Sequence, residues 1–244
     1  KFKADFVEEL WKIYPEWATG VGYHKYDSVL MIPDGNRRNE ELAFANRIDG
    51  ELKKINYVAL DANNKTDYRL IQNFTEGVRF NINEFKSHEW DPSAYNVGGM
   101  IFDIMDYKGY SVDDKLRMLT KKLSNVPAFF EAAKTNIKQP TREHTELAIK
   151  QNEGSFYFFD SVFPDSVKVS KLSKTELEEF NKCASGAKKS IAAYIAWLKD
   201  KYPVTDSTKF RSFRIGRELY TKKFLLDINS SHTATEMYEK AQER

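Results

Sequence analysis

The chain has 244 residues and a net charge of only +2, from 38 basic and 36 acidic side chains. Its basic pairs at 37–38, 121–122, 188–189 and 222–223 each have acidic company, which excludes the basic stripe that a nucleic-acid partner needs. With 41% apolar and 30% charged residues it reads as globular, no apolar run approaches the length of a membrane span, and a single cysteine excludes an intrachain disulfide.

The chain opens as an amphipathic helix, with Phe2, Phe6, Leu10 and Ile13 on one stripe. Pro15 cannot continue that helix but suits the first turn of another, Pro15–Thr19, which Gly20 and Gly22 stop. Tyr23-His24-Lys25-Tyr26-Asp27 then places an imidazole, two phenols and a carboxylate on a loop between helices. Such a loop carries function more often than a helix face does, or it caps helix ends and satisfies buried backbone. A helix is expected from Asn36 to Ile55, with Leu42, Ala45, Ile48 and Leu52 inward. A longer one is expected over Lys65–Trp90, ending at Pro92. Gly98-Gly99 precedes a short apolar helix, Met100–Met105.

Ser111 is an N-cap followed by an acidic first turn, and its helix carries Leu116, Leu119 and Leu123. Pro127 opens the next helix, with Phe130, Ala133 and Ile137 inward, and Pro140 stops it. Thr141 caps a helix whose second half, Phe156-Tyr157-Phe158-Phe159 and on to Phe163, is apolar all round. Gly154 inside it suggests a close approach or a kink. Ser166–Leu172 has the only strand-like alternation. Ser173-Lys-Thr-Glu176 is a capping box that opens the strongest helix, Lys174–Lys201. Cys183, between Phe180 and Ala184 on that helix, is expected as a small buried apolar side chain. Helices from Arg214 to Ile228 and from the capping box Thr233–Glu236 to Arg244 complete the reading. The fold class is all-α, a single irregular multi-helix domain over 1–244, with about ten helices. Phe156, Phe158, Phe159, Phe180, Ile191 and Leu198 are its expected deep core.

No local chemistry stands out. A helical zinc site of the HExxH kind needs imidazoles at i and i+4. His88-Glu89 is followed by Trp90-Asp91-Pro92, and none of the four histidines, at 24, 88, 144 and 232, has such a mate. Nucleophile elbows, phosphate loops and dinucleotide fingerprints are absent, so no catalytic residue and no metal ligand is assigned in this chain.

Several motifs together resemble a family. Tyr14-Pro15, Ala18-Thr19, Gly22, His24 and Tyr26-Asp27 are similar to the opening of the bacterial proteins grouped as the domain of unknown function 885. Asp67-Tyr68-Arg69-Leu70, Trp90-Asp91-Pro92 with Tyr95, Arg117 with Leu123 and Pro127, and Ala133-Lys134 with Asn136 and Pro140 follow in order. His144-Thr145 with Ala148 and Phe213-Arg214-Ile215-Gly216-Arg217-Glu218 with Tyr220 complete the set. The resemblance implies the helical, amino-terminal half of a zincin-like metallopeptidase, exported to the periplasm or cell envelope and in some members lipid-anchored. The zinc ligands would lie in the carboxy-terminal half of the full-length chain, its natural partner. This half would wall the cleft for a peptide or small-molecule substrate, or serve as a non-catalytic module binding a peptide or an envelope partner. The opening on Lys1, already inside a helical pattern, fits a trimmed chain. His24, Tyr26, Asp27, Arg214, Arg217 and Tyr220 are the expected substrate-binding residues. The arginines suit a carboxylate and the phenols a peptide backbone. The competing account pairs Asp27 with an arginine as a structural tie.

Overall fold

Side-chain caps fix where five of the helices begin in this computed structural model, which describes residues 1–229 and 232–243. In chain order the α-helices are α1 (Phe2–Ile13), α2 (Pro15–Gly20), α3 (Gly35–Leu52), α4 (Ala62–Phe80), α5 (Ser87–Trp90), α6 (Gly98–Asp106) and α7 (Val112–Ser124). They continue with α8 (Val126–Asn136), α9 (Arg142–Gly154), α10 (Phe163–Val169), α11 (Lys174–Lys201), α12 (Arg217–Ile228) and α13 (Ala234–Gln242). Asp61, Ser111, Thr141, Ser173 and Thr233 each accept a backbone N–H of the first turn, satisfying donors that no helix can satisfy internally. Both expected capping boxes are formed, at Ser173–Glu176 and Thr233–Glu236. The fold is all-α. Among the described residues the one β feature is an isolated parallel bridge between Thr141 and Arg211.

Two compact units divide the chain. The first comprises residues 1–34 and 88–211. Its axis is α11, whose 28 residues make it the longest helix and which packs on α7, α8 and α9. Leu116, Leu119, Leu123, Phe130, Ala133, Ala148, Phe180, Ile191 and Leu198 form the shared core. Tyr194 is fully buried in it. The phenol escapes an unpaired burial by donating to Pro92 O at 3.1 Å, and its ring lies 4.7 Å from Phe130. Asn136 ties the 30s segment to the same core by donating to Pro33 O. Gly98 is where backbones come close: a Cβ there would stand 3.2 Å from Cβ of Ser155. The second unit comprises residues 35–87 and 212–244. In it Phe44, Ile48 and Leu52 of α3 face Ile71 and Val78 of α4, and Phe44 meets Phe74 edge-on at 6.3 Å.

Six expectations need correction. Ser166–Leu172 is no strand, because α10 runs to Val169. Pro164 sits in its first turn, Ser166 Oγ donates back to Val162 O, and an alternation this short finds no neighbouring strand among the described residues. The long helix to Trp90 breaks after α4. A π turn at Asn81–Phe85 and a left-handed Lys86 (φ 51°) separate it from α5. The aromatic run after α9 is not covered on all sides. A second π turn, Phe158–Val162, rotates the helix face, so Phe159 is buried, Phe156 and Phe158 are half-buried and Tyr157 is exposed. Gly154 closes α9 and has nothing near its missing Cβ, so of the close approach or kink expected there the close approach is absent and the helix instead ends. Cys183 is half-buried, and partial burial raises its thiol pKa. Finally, α12 begins at Arg217 and not at Arg214, since Gly216 at φ 82° is its left-handed N-cap. The expected run of the last helix to Arg244 ends on a residue outside those described, and α13 closes at Gln242.

Candidate functional site

Asp27 is 2% exposed and accepts three donors. Thr19 Oγ1 donates to Oδ1 at 2.6 Å, while His24 Nδ1, 2.9 Å away, and the Tyr110 phenol, 3.0 Å away, donate to Oδ2. The sequence builds this locally. Pro15 starts α2 so that Thr19 falls in its last turn and Gly22 (φ 85°) reverses the chain. A single 3-10 turn, His24–Tyr26, then sets His24 and Asp27 one turn apart. His24 lies 3.9 Å from Tyr107, ring centroid to ring centroid, and its imidazole is 22% exposed. With Nδ1–H held by the carboxylate, Nε2 is the accepting nitrogen of the neutral ring, and it has no partner among the described residues. Burial, reinforced by the bond to Asp27, pushes the Tyr110 phenol up to about 12, so it stays a donor throughout the physiological range.

A second cluster holds the outer side of the loop. Glu8 of α1 accepts from Tyr23 at 2.6 Å, from Tyr26 at 2.7 Å and from Lys25. Those bonds, that of Lys25 foremost, lower the Glu8 carboxyl to about 2. Behind the loop lies Lys122 of α7, only 3% exposed. Burial lowers its pKa against the opposing pull of Glu16, Asp27 and Asp103, whose carboxylates face it from α2, the loop and α6. Lys115, one pair of turns earlier, is also buried and donates to Met105 O at 2.6 Å.

The six expected residues fall into two sets. His24, Tyr26 and Asp27 belong to the first unit: His24 and Asp27 are hydrogen-bonded together with Thr19 and Tyr110, while Tyr26 belongs to the neighbouring cluster on Glu8. Arg214, Arg217 and Tyr220 belong to the second unit and are all exposed. Arg214 lies over the ring of Phe213, 5.8 Å from its centroid, and neither arginine has a carboxylate partner among the described residues. In place of the alternative tie to an arginine, the partners of Asp27 among the described residues are Thr19, His24 and Tyr110. Sequence reasoning missed Thr19, Tyr110 and Lys122. The signal for Lys122 was present, since it occupies the stripe of Leu116, Leu119 and Leu123, where a cation is out of place.

The arrangement defines an all-α protein with a preorganised Asp27–His24 pair. Among the described residues no three His, Cys, Asp or Glu side chains gather to hold a metal ion, and no helix is long and apolar enough to cross a membrane. The chain belongs to the family described as "Bacterial protein of unknown function (DUF885)", whose model matches residues 15–244. It is similar to a solved structure described as "a putative lipoprotein of unknown function from Shewanella oneidensis", with 40% identity and a TM-score of 0.94. That match covers 99% of this chain and 44% of the other, so the chain spans less than half of that relative's length. No curated protein matches the chain.

Proposed function

We propose that this chain is the helical half of a zinc-dependent peptidase-type hydrolase of the bacterial cell envelope, and that His24 stands on the wall of its substrate cleft. The observation that carries the reading is the held imidazole: Nδ1–H on a buried carboxylate, Tyr107 against the ring, and Nε2 left to accept. A residue fixed by packing and by a second layer of hydrogen bonds meets a ligand without first losing its own freedom. Such a nitrogen accepts a peptide N–H or a substrate ammonium. Asp27, held by Thr19, positions it and does not touch substrate in this reading.

The residues described here do not fit a zinc site, so the metal's ligands would come from the portion of the longer protein outside this chain. The lipoprotein relative supports the envelope assignment. The test is kinetic and uses the full-length protein. One zinc per chain and hydrolysis of a peptide library are expected, and His24→Ala should raise KM about tenfold when assayed at a temperature where the variant is fully folded, the lost bond to Asp27 lowering its melting temperature separately. No zinc and no hydrolysis would overturn the hydrolase reading in favour of a binding module. Unchanged KM in an active enzyme would remove His24 from the cleft.

A further inference from the structure

Along α12, Arg217, Tyr220, Phe224 and Ile228 recur at spacings of three and four, so they form one stripe. The helix packs on α4 through another side. There Asn73 Nδ2 donates to Leu226 O at 2.9 Å and Lys222 reaches Glu84 at 2.7 Å. The stripe itself is left open, with Tyr220 52% and Ile228 54% exposed and Leu225 beside them 44% exposed. In α13 the apolar residues Ala234, Met237, Tyr238 and Ala241 also share one face, and Met237 and Tyr238 are 42% and 65% exposed. Neither helix buries a single residue. Helices this short draw their stability from packing an apolar face, so both are incomplete as they stand.

The similar lipoprotein structure says what is available to complete them. It matches 99% of this chain, these helices included, yet more than half of its own polypeptide lies outside the match. We propose that the open stripe of α12 and the apolar face of α13 are the seat on which the remaining part of the full-length polypeptide packs. Its contacting surface is helical and apolar, with a carboxylate opposite Arg217, which has no acidic partner among the described residues. The assignment makes Arg217 and Tyr220 docking residues. It rests on the reading of this chain as half of a larger protein and is independent of any zinc chemistry.

Hydrogen exchange on the 244-residue chain and on the full-length protein tests it. Amides within α12 and α13 should be at least about tenfold better protected in the full-length protein. Arg217→Glu and Tyr238→Glu should lower the melting temperature of the full-length protein and leave that of the 244-residue chain unchanged. Val58→Glu, at a site 81% exposed in the same unit, should affect neither. Equal protection in the two forms, or Glu variants as stable as the full-length parent, would overturn the proposal. So would protection in the 244-residue chain that rises with its concentration, which would make a second copy the occupant. None of these readouts depends on hydrolysis, so a failed peptidase assay leaves the result intact.

Discussion

Replacing Asp27 by alanine withdraws one acceptor from three donors at once, and the structure sets the size of the loss. Thr19 is not stranded, because its hydroxyl already lies 3.0 Å from Pro15 O. His24, at 22% exposure, recovers a water partner at Nδ1. Tyr110 keeps only a 3.4 Å contact with His24 O, and Lys122 loses one of the three carboxylates that oppose its burial. A hydrogen bond to a charged group contributes about 1.5–3 kcal/mol, and breaking up a buried charge cluster costs toward 3–5 kcal/mol. With two donors compensated, the expected destabilisation is about 3 kcal/mol, a fall of roughly 6–12 °C in melting temperature for a chain of this length. Urea unfolding followed by tryptophan emission suits the question, because Trp11 lies 5.2 Å from Trp17 and 6.5 Å from Tyr23, beside the loop. A loss under about 0.5 kcal/mol, the range of ordinary surface changes, would refute the claim that Asp27 holds this corner together.

Phe180→Ala should cost about 3–5 kcal/mol, since the ring is 1% exposed and packs edge-on against Phe163 at 5.3 Å. Phe158→Ala, on the half-buried face of the π turn, should cost clearly less in the same denaturation assay, and equal costs would show that the face is misassigned. The Glu8 carboxyl lies below its ordinary 4.5, at about 2, so its hold on the loop is full above pH 4.5 and is lost as pH falls through 2. Amide exchange of residues 23–26 should accelerate across that window, and Glu8→Gln should show the faster exchange already at neutral pH. Exchange independent of pH there, after correction for intrinsic rates, would contradict the assignment.

The sequence by itself determined the helical class, the axis of the first unit and most helix starts. Those depend on near neighbours: a Ser or Thr three residues before an acidic side chain, a proline in a first turn, leucines recurring at 3.6 residues. It also marked Tyr23–Asp27 as a loop rich in chemistry, because two glycines and a proline are local signals. The interruptions at Lys86 and within Phe158–Val162 were not legible, since π turns preserve helical composition while shifting the face by a fraction of a turn. The partners of Asp27 were only half legible. Thr19 and His24 lie within eight positions of it, but Tyr110 and Lys122 lie 83 and more positions away and meet it only once α6 and α7 are packed. Whether a carboxylate in a loop faces water or three donors is decided by what covers it. That cover comes from residues far along the chain, which no local pattern encodes.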